Sequence, residues 1–250
     1  MANDPKAPAS TTVDKPPANL PRRFYKTASV AAAGPPFAIL LDGKSVRTPQ
    51  KSLLAVPTQA LAEAVAAEWE AQGPVIDPRA LPLTKVANST IDRVLPHRRR
   101  AIDEIVKYAG SDLVCYRATE PGELVLRQAD VWDAIVAWAK QYLGAEFRVV
   151  GGIMFADQPP DAMAAVRTYL DERSEWELAS IHAMTTLTGS ALVALMLERG
   201  AIAAERACNA VHLDEDWQIE HWGEDVEAKA GRAARRRDFD AAVRFLQLLK

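Results

Sequence analysis

The chain has 250 residues, enough for one large domain or two smaller ones around a substantial core. Hydrophobic residues make up 49% and charged residues 25%, an ordinary globular balance that excludes a fibrous or wholly disordered chain. The formal net charge of -3 excludes a general basic field for nucleic acid, and the two cysteines, Cys115 and Cys208, form neither a CxxC pair nor a disulfide framework, as suits a reducing compartment.

Met1 to Pro21 is rich in Pro, Ala, Ser and Thr without periodicity and reads as a disordered tail. It lacks a cationic start followed by an apolar run, so no secretory signal is visible. Asp4 and Asp14, with no Arg before Arg22, are unlike an organelle transit peptide, and the expected location is the bacterial cytoplasm. Arg22 to Val30 then reads as a strand, Gly34-Pro35-Pro36 as punctuation and Phe37 to Leu41 as a second strand. Asp42-Gly43 is a hairpin signal, with returns over Lys44 to Thr48 and Leu53 to Val56. Pro57-Thr58 caps a helix in which Leu61, Ala64, Val65, Glu68 and Trp69 recur until Gly73-Pro74. An extended segment and a short helix over Thr84 to Val94 complete a small antiparallel α+β domain, residues 22–95.

From Pro96 the pattern is helical, and residues 96–250 are expected to form an all-helical domain, giving an α+β chain overall. The basic run His97 to Arg100 reads as a solvated helix start, Arg98 to Ala109 as a helix, and Asp112 to Arg117 as either strand or helix. Leu124 to Tyr142 predicts a helix with Val131, Ile135, Trp138 and Tyr142 inward; Phe147 to Phe155 is strand-like or irregular, and Asp161 to Arg173 is helical. Leu178 to Leu197 carries no Asp, Glu, Lys or Arg and is long enough for a bilayer, but His182, Ser180, Ser190 and its threonines suit the centre of a helical domain better. A helix from Ala203 is expected to carry the acidic stretch that follows. Acids early and Arg232, Arg235, Arg236 and Arg237 late would agree with the dipole of one long helix.

Leu213 to Glu227 (LDEDWQIEHWGEDVE) sets Trp217 and Trp222 among seven acids. On a helix, Val211, Glu215, Ile219, Trp222 and Val226 share one face, while Leu213, Trp217, Glu220 and Glu224 form a second. Two readings stand side by side. Glu215 is an ion-paired carboxylate at a helix seam with both tryptophans filling core, or the stretch is an acidic, aromatic recognition surface.

Sequences for phosphate, dinucleotide, nucleophile-elbow or zinc-protease chemistry are absent. One metal alternative exists: Cys208, His212 and Asp216 stand one turn apart on a single helical face. A straight helix cannot wrap an ion, so a buried cysteine beside a capping histidine is the plainer account.

Several motifs in order carry a family resemblance: RRFYK at 22–26, Asp42-Gly43-Lys44 leading to Thr48-Pro49, AVAAEWEAQ at 64–72, LTKVANSTID at 83–92, DLVCYR at 112–117, Trp132-Asp133 before Trp138, and LDEDWQIEHWG at 213–223. From Arg22 onward the chain resembles the F1-ATPase assembly chaperones that act on the alpha subunit of ATP synthase. The resemblance implies a small α+β N-terminal domain and an all-helical C-terminal one, no enzymatic activity, and no nucleotide or metal cofactor. It implies a protein partner, the free F1-ATPase alpha subunit, held soluble until the beta subunit replaces the chaperone. Neither nucleic acid binding nor membrane insertion is expected, and the chain alone is expected to be monomeric. The family's dependence on an acid in the C-terminal motif carries to Glu215, with Glu220 and Glu227 as fallbacks, and Trp217 and Trp222 complete the expected partner-binding set. Trp217 stands where relatives often have Tyr. Organelle members work in the mitochondrial matrix and carry a presequence, so the resemblance here points to a bacterial relative.

Overall fold

In the computed structural model, which describes residues 20–250, Asp42 and Gly43 adopt φ of 47° and 76°. Positive φ at both central residues is the geometry a two-residue hairpin needs to match strand twist. The turn joins β2 (Phe37–Leu41) to β3 (Lys44–Ser45), with Leu40 opposite Ser45 and Leu41 opposite Lys44. β1 (Ala28–Val30) pairs antiparallel with β2, Val30 opposite Ile39, and β4 (Ala55–Val56) pairs with the start of β2. The tail expected over 1–21 lies outside the described residues except for Leu20 and Pro21.

The strand expected from Arg22 is shorter than its sequence suggests. Only Arg22 bridges Val75, and the segment before Ala28 is held by isolated backbone bonds, Arg23 N–H to the Pro74 carbonyl and Asp42 N–H to the Thr27 carbonyl, together with side chains. Arg23 donates to the carbonyls of Glu70 and Gln72 at the end of α1 (Gln59–Glu70), and the Tyr25 hydroxyl donates to the Trp69 carbonyl at 2.6 Å. These bonds take up orphan carbonyls at a helix C-terminus, which a regular strand could not reach. At the other end, Thr58 caps α1 by accepting from the Leu61 N–H, and Leu61, Ala62, Val65 and Ala66 are buried.

Glu68 has a role that spacing alone does not show. Its carboxylate accepts from the Leu83 and Thr84 backbone N–H groups at 2.6 and 2.8 Å, and from the Thr84 hydroxyl. It therefore caps α2 (Pro82–Ser89), whose own N-cap residue offers no side chain. Burial raises the Glu68 pKa against those bonds. A π turn over Thr90–Val94 leads to α3 (Arg98–Ala109), which buries Ile102, Ile105 and Ala109.

Asp112 to Arg117 divides into a short 3-10 turn and strand β5 (Tyr116–Arg117), which pairs in parallel with β6 (Val150–Gly151). α4 (Gly122–Trp138) lies between them and continues into a π turn to Leu143. Of the face expected, Ile135 and Trp138 are buried while Val131 is half-buried and Tyr142 exposed, and Gln128 and Trp132 complete the inner stripe. Trp132 is fully buried and donates its indole N–H to the Ala210 carbonyl at 2.7 Å, whereas Tyr142 is exposed. Both stripes have helical spacing, and the larger indole with a satisfied donor takes the interior.

The uncharged run over 178–197 is two helices, not one. α6 (Glu175–Thr188) stops at Gly189, whose φ of 73° no helix continues through, and Ser190 caps α7 (Ala191–Glu198) by accepting from the Val193 N–H. α5 (Pro160–Asp171) precedes them. α6 packs against α2, α3 and α7, and Ser180 satisfies its hydroxyl on the Ala242 carbonyl at 2.6 Å. Among the described residues no helix is long and apolar enough to cross a membrane.

After Ala203 the expected long helix is three. α8 (Ala204–Val211) breaks at His212, α9 (Leu213–Trp222) ends at Gly223 with φ 83° and ψ 168°, and α10 (Val226–Gln247) starts on the Asp225 cap. The second half of α10 buries Phe239, Ala242, Phe245 and Leu246 and packs on both α2 and α6. Thr58, at the start of α1, donates to the Leu248 carbonyl, so the chain end is fastened to the first helix. The apolar core is continuous across the boundary drawn at 95/96.

Candidate partner-binding site

The break at Gly223 decides which face of α9 is inside. Leu213 and Trp217 are buried, Trp217 at 4% exposure, and the Trp217 ring stacks on His221 with centroids 4.1 Å apart. On the other face Glu215 and Ile219 are half-buried at the margin, and Trp222 is 77% exposed. Val226 does not extend that face, because it lies beyond the break on α10, where it too is exposed. The apolar spacing of 211–226 therefore runs along the margin and becomes exposed only at Trp222 and Val226, and the half-acidic second face supplies the buried anchors. Alternation among Leu213, Trp217 and Glu220 allows this because the first two sit over the core while Glu220 reaches past its rim.

Each acid at the start of α9 meets a cation or amide from another element. Glu215 pairs with Arg235 of α10 at 3.1 Å and lies 3.8 Å from the His212 imidazole, while Asp216 pairs with Arg232 of α10. Glu220 takes a two-pronged pair from Arg127 of α4, at 2.7 and 2.9 Å, which lowers its pKa below the usual range. Asp214 accepts from the Gln128 side chain at 2.7 Å. Glu227 is exposed in the first turn of α10, where an acid complements the helix dipole. The Glu215–Arg235 pair is partly open to solvent and contributes on the order of 0–1 kcal/mol to folding, and the Glu220–Arg127 pair is screened at the surface. The first turns of α10, Val226 to Gly231, are exposed at every residue, and the helix reaches the core only from Phe239. The early part of α10 is thus joined to α9 chiefly by Arg232 and Arg235.

The metal alternative finds no support. Cys208 Sγ and His212 Nδ1 are 3.5 Å apart, but Asp216 is turned to Arg232, and the Arg236 guanidinium lies 3.3 Å from the sulfur, where it would repel a cation. Among the described residues no group of three or more His, Cys, Asp or Glu side chains could hold an ion. Cys115 is wholly buried and its thiol is pushed up to about 12, which leaves it inert as a nucleophile.

Two features escape a sequence-level reading. The arginines Arg232 and Arg235 read as dipole complements at the end of a long helix, and nothing in the spacing pairs them with acids across a turn at Gly223. The segment 147–155, expected as strand-like or irregular, is strand only at Val150–Gly151, and beyond it Ile153, Met154 and Phe155 stand exposed. A run of large apolar residues next to Gly151-Gly152 was the available signal.

The ATP12 chaperone protein family model matches residues 22–140. The crystal structure of Atu1473 protein, described as a putative chaperone from Agrobacterium tumefaciens, is 45% identical, covers 92% of this chain and 87% of its own, and superposes with a TM-score of 0.88. The crystal structure of Atp12 from Paracoccus denitrificans is 37% identical, with 92% and 99% covered and a TM-score of 0.85. The mitochondrial protein atp12 of Schizosaccharomyces pombe is 22% identical over 214 residues, covering 81% of this chain and 74% of that protein. Both crystal structures have the small N-terminal sheet and helical C-terminal region in the same arrangement.

Proposed function

The chain belongs to the ATP12 chaperone family, and from that premise we propose that it binds the free alpha subunit of the F1-ATPase, keeps it from aggregating, and yields it to the beta subunit during assembly. A subunit awaiting its neighbour exposes apolar surface that drives aggregation, and a masking protein needs only to bind that surface until a tighter partner arrives. The observation that carries this reading is the outer face of α9, an exposed Trp222 beside acids at a helix junction. The proposed contact set is Glu215, Glu220, Trp222 and Glu227, with buried Trp217 holding α9 in place beneath them.

The pairing of those acids suits a handover. A basic client group that takes Glu215 must displace Arg235, so one solvent-screened ion pair replaces another and the net gain is small. Affinity then rests on Trp222 and neighbouring apolar surface, while the acids select a basic client and steer its approach. The client, not the chaperone, contributes any later chemistry, and the family relation assigns this chain no reaction of its own. The same reading places it as a monomer in the bacterial cytoplasm, where F1 is assembled, as its organelle relatives work in the matrix.

Co-expression with free alpha subunit tests the proposal. Soluble alpha is expected to rise, and a complex of the two chains to elute together by size exclusion. Unchanged alpha solubility with no shared peak would sink it.

A further inference from the structure

We propose that the loop Ile153-Met154-Phe155 is a second client-docking element, which takes an apolar segment flanked by Lys or Arg; the inference rests on the chaperone reading above. Three consecutive large apolar side chains stand at 97%, 80% and 67% exposure. Such a contiguous group on a folded chain marks an interaction surface far more often than a lone exposed side chain does.

The loop is built to project. Its two ends are clamped by Gln158, which accepts from the Arg148 N–H at 2.7 Å and donates to the Arg148 carbonyl at 2.9 Å. β6 is paired to β5, and Gly152, at φ 83°, donates to the Arg117 carbonyl at 2.8 Å. Gly151 packs so closely on Thr119 that an added Cβ would lie 3.0 Å from its methyl group. The base is therefore fastened to β5 and to Thr119 just ahead of α4, while the three side chains at the tip stand exposed.

Position and charge identify the occupant. The loop base is paired to β5, from which the chain enters α4, where Leu126 is 74% exposed and its neighbour Arg127 holds Glu220 of α9, two residues before Trp222. The loop thus adjoins the strand that leads into α4, the helix that Arg127 ties to the proposed α9 contact site. The chain that frames it, residues 116–158, is acidic at its surface: Glu120, Glu123, Asp130, Asp133, Glu146 and Asp157 are exposed against the exposed cations Lys140 and Arg148. An anionic membrane surface is repelled by that rim, whereas a polypeptide with basic residues beside its apolar stretch is matched.

The test is a full-length chain carrying the photo-crosslinker benzoylphenylalanine at position 154, co-expressed with free alpha subunit and irradiated, with a control at exposed position 59. A second arm measures alpha binding by the Ile153→Ser/Phe155→Ser variant, whose exposed changes should leave its melting temperature unaltered. The expected results are a crosslink from 154 to an apolar alpha segment bearing Lys or Arg, none from 59, and binding weakened about tenfold or more. If a complex elutes but 154 captures no alpha, or captures only a second copy of this chain, the loop proposal is overturned and the chaperone reading stands. Unweakened binding by the double variant also overturns it. If the unsubstituted chain forms no complex with alpha, both fall together.

Discussion

Glu215 shows how a single side chain can be paired and still be available. Its partner Arg235 and its own carboxylate are both partly exposed, so the pair is screened and contributes about 0–1 kcal/mol to folding. Glu215→Lys is expected to lose alpha binding by about tenfold or more while lowering the melting temperature by only about 2–4 °C. Adding Arg235→Glu should restore the ion pair and the melting temperature but leave binding lost; recovery of both would make Glu215 a structural partner only. Asp112 is the opposite kind of carboxylate, wholly buried, accepting from the Leu192 N–H at 2.9 Å and the Val114 N–H at 3.3 Å. Burial outweighs those bonds and raises its pKa to about 6. A folded pKa above the ordinary value of 3.8 gives a stability contribution complete below that value and lost as pH rises through about 6. Asp42, Asp77, Glu104 and Glu220 have lowered pKa values and act in the opposite sense, losing stability as pH falls through the acid range. Thermal melts are expected to rise as pH falls from about 8 to about 5, and Asp112→Asn should flatten that rise. A wild-type profile flat over this range would contradict the assignment.

At the scale of elements, breaks matter as much as helices. The run over 178–197 has no charged residue to mark a boundary, yet Gly189 in the left-handed region ends α6 and lets Ser190 begin α7. Nothing lies within 4 Å of a Cβ placed on Gly189, so Gly189→Ala should cost backbone strain alone, about 1–2 kcal/mol. Urea denaturation should show a lower midpoint with unchanged slope; no shift would mean the turn relaxes freely. The same logic holds at Gly223, which swings α10 away from α9 and brings Arg232 and Arg235 back over Glu215 and Asp216. Helical periodicity cannot locate such a break, because the residues on both sides continue the same spacing. That is why Val226 appears on the face of Glu215 in sequence and lies on a different helix in space.

For the whole molecule, α10 and α6 both join the two parts. Phe245 is fully buried and stacks on Trp176, with centroids 6.2 Å apart, while its helix touches α2 on the N-terminal side and α6 on the other. Phe245→Ala is expected to cost about 3–5 kcal/mol. Because the core is continuous, the loss should appear as one cooperative transition at lower temperature by both near- and far-UV circular dichroism. Two separated transitions would mean that residues 22–95 and 96–250 unfold as independent domains.

Local chemistry determined much of this protein without help. The Asp42-Gly43 turn, the Thr58 cap, the change to helices after Pro96 and the ordered motifs of the family all depend on residues close together in the chain. What tertiary structure alone decided was which of two equally periodic stripes faced inward. It put Trp132 rather than Tyr142 inside, Trp217 in and Trp222 out, paired Glu215 with Arg235 twenty residues away, and left the 153–155 loop uncovered. Periodicity specifies a face but not its neighbour, and burial and ion pairing are properties of the neighbour.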